Sequence, residues 1–516
     1  MKSGLLYLCV LGLGMSSYTS PNIVENGTID LQYNLLFGCL VSLGVNWNNI
    51  HHRNSGPAYD ELNFQWNSLN GHVEPLAYLV ATHVSDVQKA VTCCGLIKVR
   101  IVARSGGHSY IKNGFGDSRS LIVDLAKMNH ISVDPKQMTS EIGAGAKLAQ
   151  VSFTLWKNGK FLIPGGICPI VGIAGLTLGG GYGRFTTVFG LTSDSVVEME
   201  MVDARGQLLV INNSTNSDLF WALRGGGGGN FGIVTKFKFK IYKAPRSIVY
   251  IEHYYSFETA FTQFYSAFQK LMMSGVPRHF SLLIRIIKNK IFMGLHGYNF
   301  HQQNETVNSM TKYLNSFSFP NATSSASKLM SYEEFMVEDA SNFSAVMIQT
   351  VSQLENMTKY DAVVGWKTMR SMFVDQILNE SQISRLNDLL SEYLPYMELA
   401  FEPNNAAVNS ILPSDTAFVH RGTNLFVVQL VAFTSPHKQP DVQADRAMGL
   451  LFEKSKSVFH HRESYQNYMN RNLTDYLVRY YGSNLNRLVS IKGRYDPGNM
   501  FHHPQSIPVN IDLLGK

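Results

Sequence analysis

The sequence predicts an α+β protein of two domains, on three observations. Its 516 residues exceed what one hydrophobic core supports. From Pro75 to about Tyr242, short apolar runs alternate with helical patterns and glycine turns. From about Ser247 the text changes to longer, aromatic-rich segments. Composition agrees, because 45% hydrophobic and 16% charged residues are the proportions of a folded globular chain.

In chain order, Leu76 to Val80 reads as a strand, and SDVQKAVTCCGL as a capped helix starting at Ser85. VRIVARSGG is a strand entering a glycine turn, and SLIVDLAKM and HISVD are two further strands. SEIGAGAKLAQVSFTLWKNG gives a strand, a turn and an amphipathic helix. This first domain closes with IVTKFKFKIY, where apolar residues alternate with lysines as in an edge or half-buried strand. In the second domain, YIEHYYSFETAFTQFYSAFQKLM predicts a strand leading into a helix, and SLLIRIIKNKIFMGLHGYNF a hairpin. Ser381 to Leu394 is helical, and LFVVQLVAF is a buried strand, so this domain is a sheet with helices on one side. The last portion, YLVRYYGSNLNRLVSIKGRYDPGNMF, is a helix ended by the Asp496-Pro497-Gly498 turn.

Three glycine-rich turns fall within the first domain: RSGGHSY ending at Tyr110, the stretch Pro164 to Ser195, and LRGGGGGNFGIV ending at Val234. Glycine at this density costs backbone entropy, and it makes sense where main chain presses against something flat or phosphorylated. Together the turns point to one large cofactor lying across all of them. Gly227 to Gly232 fits G-x-G-x-x-G, but a helical pattern precedes it and a strand follows. That order is the reverse of a nicotinamide-binding turn, so the dinucleotide fingerprint is rejected. Taken alone, His108 and Cys168 read as a hydrogen-bonding turn histidine and a buried thiol.

The N-terminus reads as a signal peptide over residues 1–20: Lys2, the apolar run LLYLCVLGLGM, then Ser16, Ser17 and Ser20. No stretch reaches the roughly 18 to 20 apolar residues that span a bilayer. A secreted protein, or one of the endomembrane lumen, follows. Nine N-x-Ser/Thr triplets, at Asn26, Asn212, Asn213, Asn304, Asn321, Asn342, Asn356, Asn379 and Asn472, accord with a glycoprotein. Oxidising surroundings favour a disulfide, with Cys39 pairing either Cys93 or Cys94. The net charge of +6 is modest and contains no basic run, so nucleic acid is excluded as a partner. No residues have metal-ligand spacing, the doublets His51-His52, His460-His461 and His502-His503 lacking companions.

RSGGHSY at 104–110, GGICPIVGIAGLTLGGGYG at 165–183, LFWALRGGGGGNFGIVT at 219–235 and the closing YYGSNLNRLVSIKGRYDPGNMFHHPQSIP resemble the berberine-bridge-enzyme-like FAD oxidoreductases of the vanillyl-alcohol-oxidase superfamily. The resemblance implies a two-subdomain PCMH-type FAD-binding domain over 21–245, a substrate-binding domain over 246–460, and a segment over 461–516 that returns to the FAD domain. It implies FAD held by two covalent bonds, from His108 and Cys168. Arg104, Ser105, Gly106, Gly107, Ser109, Gly172, Ile173, Ala174, Gly175, Leu176, Tyr182, Gly228 and Ile233 would line the cofactor. The implied reaction is oxidation of an alcohol or sugar hemiacetal, the base being a tyrosine whose site favours the phenolate. Tyr468, Tyr182 and Tyr110 are the candidates, and Gln429 would orient substrate. Val427 stands where relatives often carry a charged side chain that helps set up the base, and SYQNYMN lacks the acidic residue that commonly follows its tyrosine. Val171, three residues after Cys168, is the permissive residue at the family's oxygen gate, which implies dioxygen as acceptor and hydrogen peroxide as product. The expectation is a monomeric oxidase acting on a small molecule; a dehydrogenase or oxidative cyclase with another acceptor, and a silent flavin-fold protein, are the alternatives.

Overall fold

The computed structural model describes residues 25–67, 71–301, 303–404, 406–422, 425–434, 442–460 and 462–511. The expected signal peptide and His461 lie outside these residues.

The first domain holds two sheets. One has four strands in the order Ile50–His52, Ala77–Val80, Ser120–Asp124, Arg100–Arg104. Its last three strands run parallel, and the helix Val84–Ile97 crosses between two of them. That helix begins one residue earlier than the sequence suggests, with His83 at its N-cap. The other sheet is antiparallel: Ile131–Asp134, Thr139–Gly143, Ile233–Lys240, Val196–Val202, Leu208–Asn212. Here IVTKFKFK is the central strand, so of the two readings its alternation allowed, half-buried holds and edge does not. Cross-strand carboxylates make this possible, since Lys236 Nζ lies 3.3 Å from Glu141 and 2.9 Å from Glu200 on the two flanking strands. Its other face presents Phe237 and Phe239, both fully buried.

The second domain is a seven-stranded antiparallel sheet in the order Ser324–Met330, Ser247–Ser256, Lys290–Asn299, Phe280–Ile287, Glu398–Pro403, Phe426–Thr434, Trp366–Val374. Strand periodicity sends alternate residues to opposite faces. Ile251, Ile284, Leu295, Phe401 and Val428 are buried under the helices Phe257–Ser274, Glu380–Tyr393 and Val442–Ser455. The opposite face is more polar and looks toward the first domain. One shorter helix, Tyr332–Asn342, stands on that side, where Phe335 meets both His296 and Phe185 edge-on.

Cys39 pairs with Cys93, fastening the helix Glu25–Ser42 to Val84–Ile97, while Cys94 is a buried free thiol. Among the described residues no helix is long and apolar enough to cross a membrane, and no group of three side chains could hold a metal ion.

Candidate flavin and proton-transfer site

Two glycine turns meet back to back. A Cβ on Gly106 would lie 2.3 Å from the Gly172 nitrogen, and one on Gly172 would lie 2.2 Å from the Gly106 nitrogen. Gly172 has φ −74° and ψ 135°, a conformation open to any residue, so close approach alone requires glycine there. The junction is tied by Ser105 Oγ donating to the Ala144 carbonyl at 2.6 Å and by Ile173 N donating to Ala146 at 2.9 Å. It brings the turn bearing His108 against the turn bearing Cys168.

His108 is half-buried and stacked on Trp66, with ring centroids 4.0 Å apart and planes 16° from parallel. Burial, with Lys367 adding to it, lowers its pKa to about 3, so the imidazole is neutral. Cys168 is a half-buried free thiol, pushed up to about 11 by burial and pulled back by Lys367. Tyr110 meets Trp66 edge-on at 5.4 Å, and burial, with Cys168 and Glu402 adding to it, raises its phenol.

Proton-transfer groups gather on the polar face of the large sheet. Tyr468 Oη donates to Glu402 Oε2 at 3.2 Å and accepts from Gln429 Nε2 at 3.0 Å. Burial, then the Glu402 charge, holds the Tyr468 phenol well above its usual value. That corrects the expectation of a site favouring phenolate: Tyr468 is a neutral phenol hydrogen-bonded to a carboxylate. Burial also raises Glu402, against the hydrogen bonds from Gln429 and Tyr468. Sequence reasoning missed Glu402. It lies directly across the ladder from Val427, so a charge sits on the expected face but one strand over. Only strand pairing reveals this, because nothing local to Glu402 marks it.

The remaining expected site residues have the following surroundings. The Arg104 guanidinium turns into the domain core, where it pairs with Asp124 on the next strand and lies 4.5 Å over the Tyr78 ring. Tyr182 is buried and donates its hydroxyl to Asn404 Oδ1, and its ring meets Tyr465 at 5.2 Å. Ser109 Oγ accepts from Asn113 N within its own turn. Ile233 is 1% exposed at the start of the central strand. Gly107 has φ 66°, which suits glycine.

Ala174 and Leu176 lie on the short helix Ile173–Leu178 that follows the Cys168 turn. Gly175 on the same helix faces open space, with nothing within 4 Å of an added Cβ, and Gly228 meets only Leu178 at 3.7 Å. The C-terminal segment braces these turns: Gln466 Nε2 donates to Gly179 O, Asn467 Nδ2 to Leu176 O, and Lys492 Nζ to Asn230 O. A groove floored by bare backbone, a neutral imidazole, a thiol, and a buried Trp66 indole N–H without a partner among the described residues fit a flavin.

Comparison with known proteins agrees with this geometry. Residues 75–212 match the FAD binding domain family, and residues 464–508 match the berberine and berberine-like family. The chain thus carries an FAD-binding domain and a berberine-like closing domain, and proteins similar to it over most of its length are FAD-linked oxidoreductases. It is 26% identical to berberine bridge enzyme-like 2 of Arabidopsis thaliana, over 84% of each chain. It is 28% identical to the chitooligosaccharide oxidase of Gibberella zeae, over 84% of this chain and 87% of that one. The structure of Physcomitrella patens BBE-like 1 superposes with a TM-score of 0.82 at 27% identity, covering 92% of this chain and 99% of that one.

Proposed function

We propose that the protein is a secreted, monomeric FAD oxidase that removes hydride from an alcohol or sugar hemiacetal carbon and yields hydrogen peroxide. The observation that carries this reading is the hydrogen-bonding state of Tyr468. A phenol has one donor and two acceptor sites. The donor is engaged by Glu402 and one acceptor by Gln429, which leaves one lone pair for a substrate hydroxyl. The substrate proton passes to Tyr468 as the Tyr468 proton passes to Glu402, so no free phenolate is needed. Burial makes Glu402 a stronger base than an exposed carboxylate. When bound, through His108 and Cys168, the flavin supplies a two-electron acceptor for the hydride.

Substrate class is supported by the face around this relay. Leu283, Gly294 and Glu252 pair across three strands, Glu402 stands on the strand beside Leu283, and the half-buried rings of Tyr250, Tyr254 and Phe292 lie near Glu252 and Gly294. Rings beside carboxylates suit a polyol, and the name of the chitooligosaccharide oxidase relative accords with a sugar. Val171, beside the Cys168 turn, supports dioxygen as acceptor.

A panel of mono- and oligosaccharides and aromatic alcohols, read by peroxide release, tests the reading. The expected result is peroxide with at least one member and bleaching of the flavin by that member without oxygen. Flavin that no panel member bleaches would overturn it.

A further inference from the structure

Lys367 is not accounted for by the relay or by the glycine turns. It stands at the start of the strand Trp366–Val374 of the second domain, and its ammonium donates to the Val363 carbonyl at 2.8 Å while facing the Trp66 ring. Asn67 makes this possible: its Oδ1 accepts from Lys367 N at 3.0 Å, and its Nδ2 donates to both Tyr110 O and Lys367 O at 2.9 Å. Gly365 N donates to Trp66 O at 3.1 Å, completing the clasp. The Lys367 Nζ then lies 4.6 Å over the same Trp66 ring that stacks on His108.

We propose that Lys367 is the positioning residue that readies both His108 and Cys168 for bond formation to the flavin, one cation acting on two nucleophiles in opposite senses. The inference rests on the bicovalent reading given above. Each bond joins the His108 nitrogen or the Cys168 sulfur to a carbon of the isoalloxazine. The N–H or S–H hydrogen and the C–H hydrogen leave as two protons and two electrons, and dioxygen takes them up as hydrogen peroxide. Each nucleophile needs a free lone pair. A cation nearby disfavours imidazolium and favours thiolate, so it promotes both steps. Lys367 is the largest charged influence on each, and Cys168 in turn favours the ammonium. The other charges facing Cys168 are Asp339 and Arg184, which oppose one another and pair at 2.9 Å; Glu398 also faces Lys367.

The test is the covalent flavin content of protein expressed with ample riboflavin, mapped by peptide mass, followed by incubation with added FAD in air over a range of pH. Wild type is expected to carry flavin on both peptides. Lys367→Met is expected to attach flavin to Cys168 about tenfold more slowly at neutral pH, and to recover as pH rises. Lys367→Arg is expected to restore attachment, which a merely structural loss would not do. If Lys367→Met does not accumulate, Lys367→Gln is read the same way. Wild-type attachment rate and pH dependence in the neutral variants would overturn the role of Lys367 alone. Wild-type protein with flavin on neither peptide would overturn the bicovalent reading and this inference with it.

Discussion

Glu402 and Tyr468 are 66 residues apart, and their 3.2 Å contact defines what the site can do with a proton. A glutamine at Glu402 keeps the shape and an accepting oxygen but removes the carboxylate's basicity. Glu402→Gln is therefore expected to lower kcat/KM by about 10²-fold, the lower end for general base catalysis. The pH profile separates this from a packing effect. Wild-type activity is expected to fall as pH drops through the raised pKa of Glu402, because protonation would remove the proposed base. The variant lacks that acid limb. An unchanged rate and an unchanged limb would show that the proton leaves by another route.

Elements set the groove. The two turns that meet at Gly106 and Gly172 have no room for a methyl group, whereas Gly175 has ample room. Gly172→Ala is expected to destabilise the fold by about 1–3 kcal/mol, the usual cost of overpacking, since both flanking backbones must move. Gly175→Ala lies within a helix and should leave the thermal midpoint unchanged or slightly raised. Its flavin content should nevertheless fall if the open space beside Gly175 is where the cofactor lies. Thermal unfolding and flavin absorbance of the two variants check both statements. Elements were also what the sequence revealed best. The strand and helix at Ser247–Ser256 and Phe257–Ser274, and the hairpin of Phe280–Ile287 with Lys290–Asn299, follow from alternation and amphipathic period alone. Position within a sheet did not follow: the lysines of Ile233–Lys240 imitate an edge, and the carboxylates that accommodate them lie on other strands. His108, Cys168, Tyr468 and Gln429 were legible from motifs, while Glu402, Lys367 and Trp66 were not. Their roles arise from pairing and stacking between distant segments, which leave no local pattern.

At the scale of the molecule, segments far apart in sequence are held together by few long ties. The Cys39–Cys93 bond spans 54 residues and anchors the N-terminal helix. Loop-closure entropy for that length is worth about 4 kcal/mol. Replacing both cysteines by serine is expected to lower stability by up to that amount, read as a lower urea midpoint for the folded protein. The substrate sheet reaches the first domain through Asn67, and the closing segment reaches the glycine turns through Gln466, Asn467 and Lys492.

Because a ribosome makes the chain from its N-terminus, those last three residues and Tyr468 are the final parts of the centre to emerge. A nascent polypeptide already displays its imidazole and thiol, but has neither the clamp that steadies the loops nor the phenol that accepts a proton. The groove of the first domain is therefore complete only once the closing segment has been made.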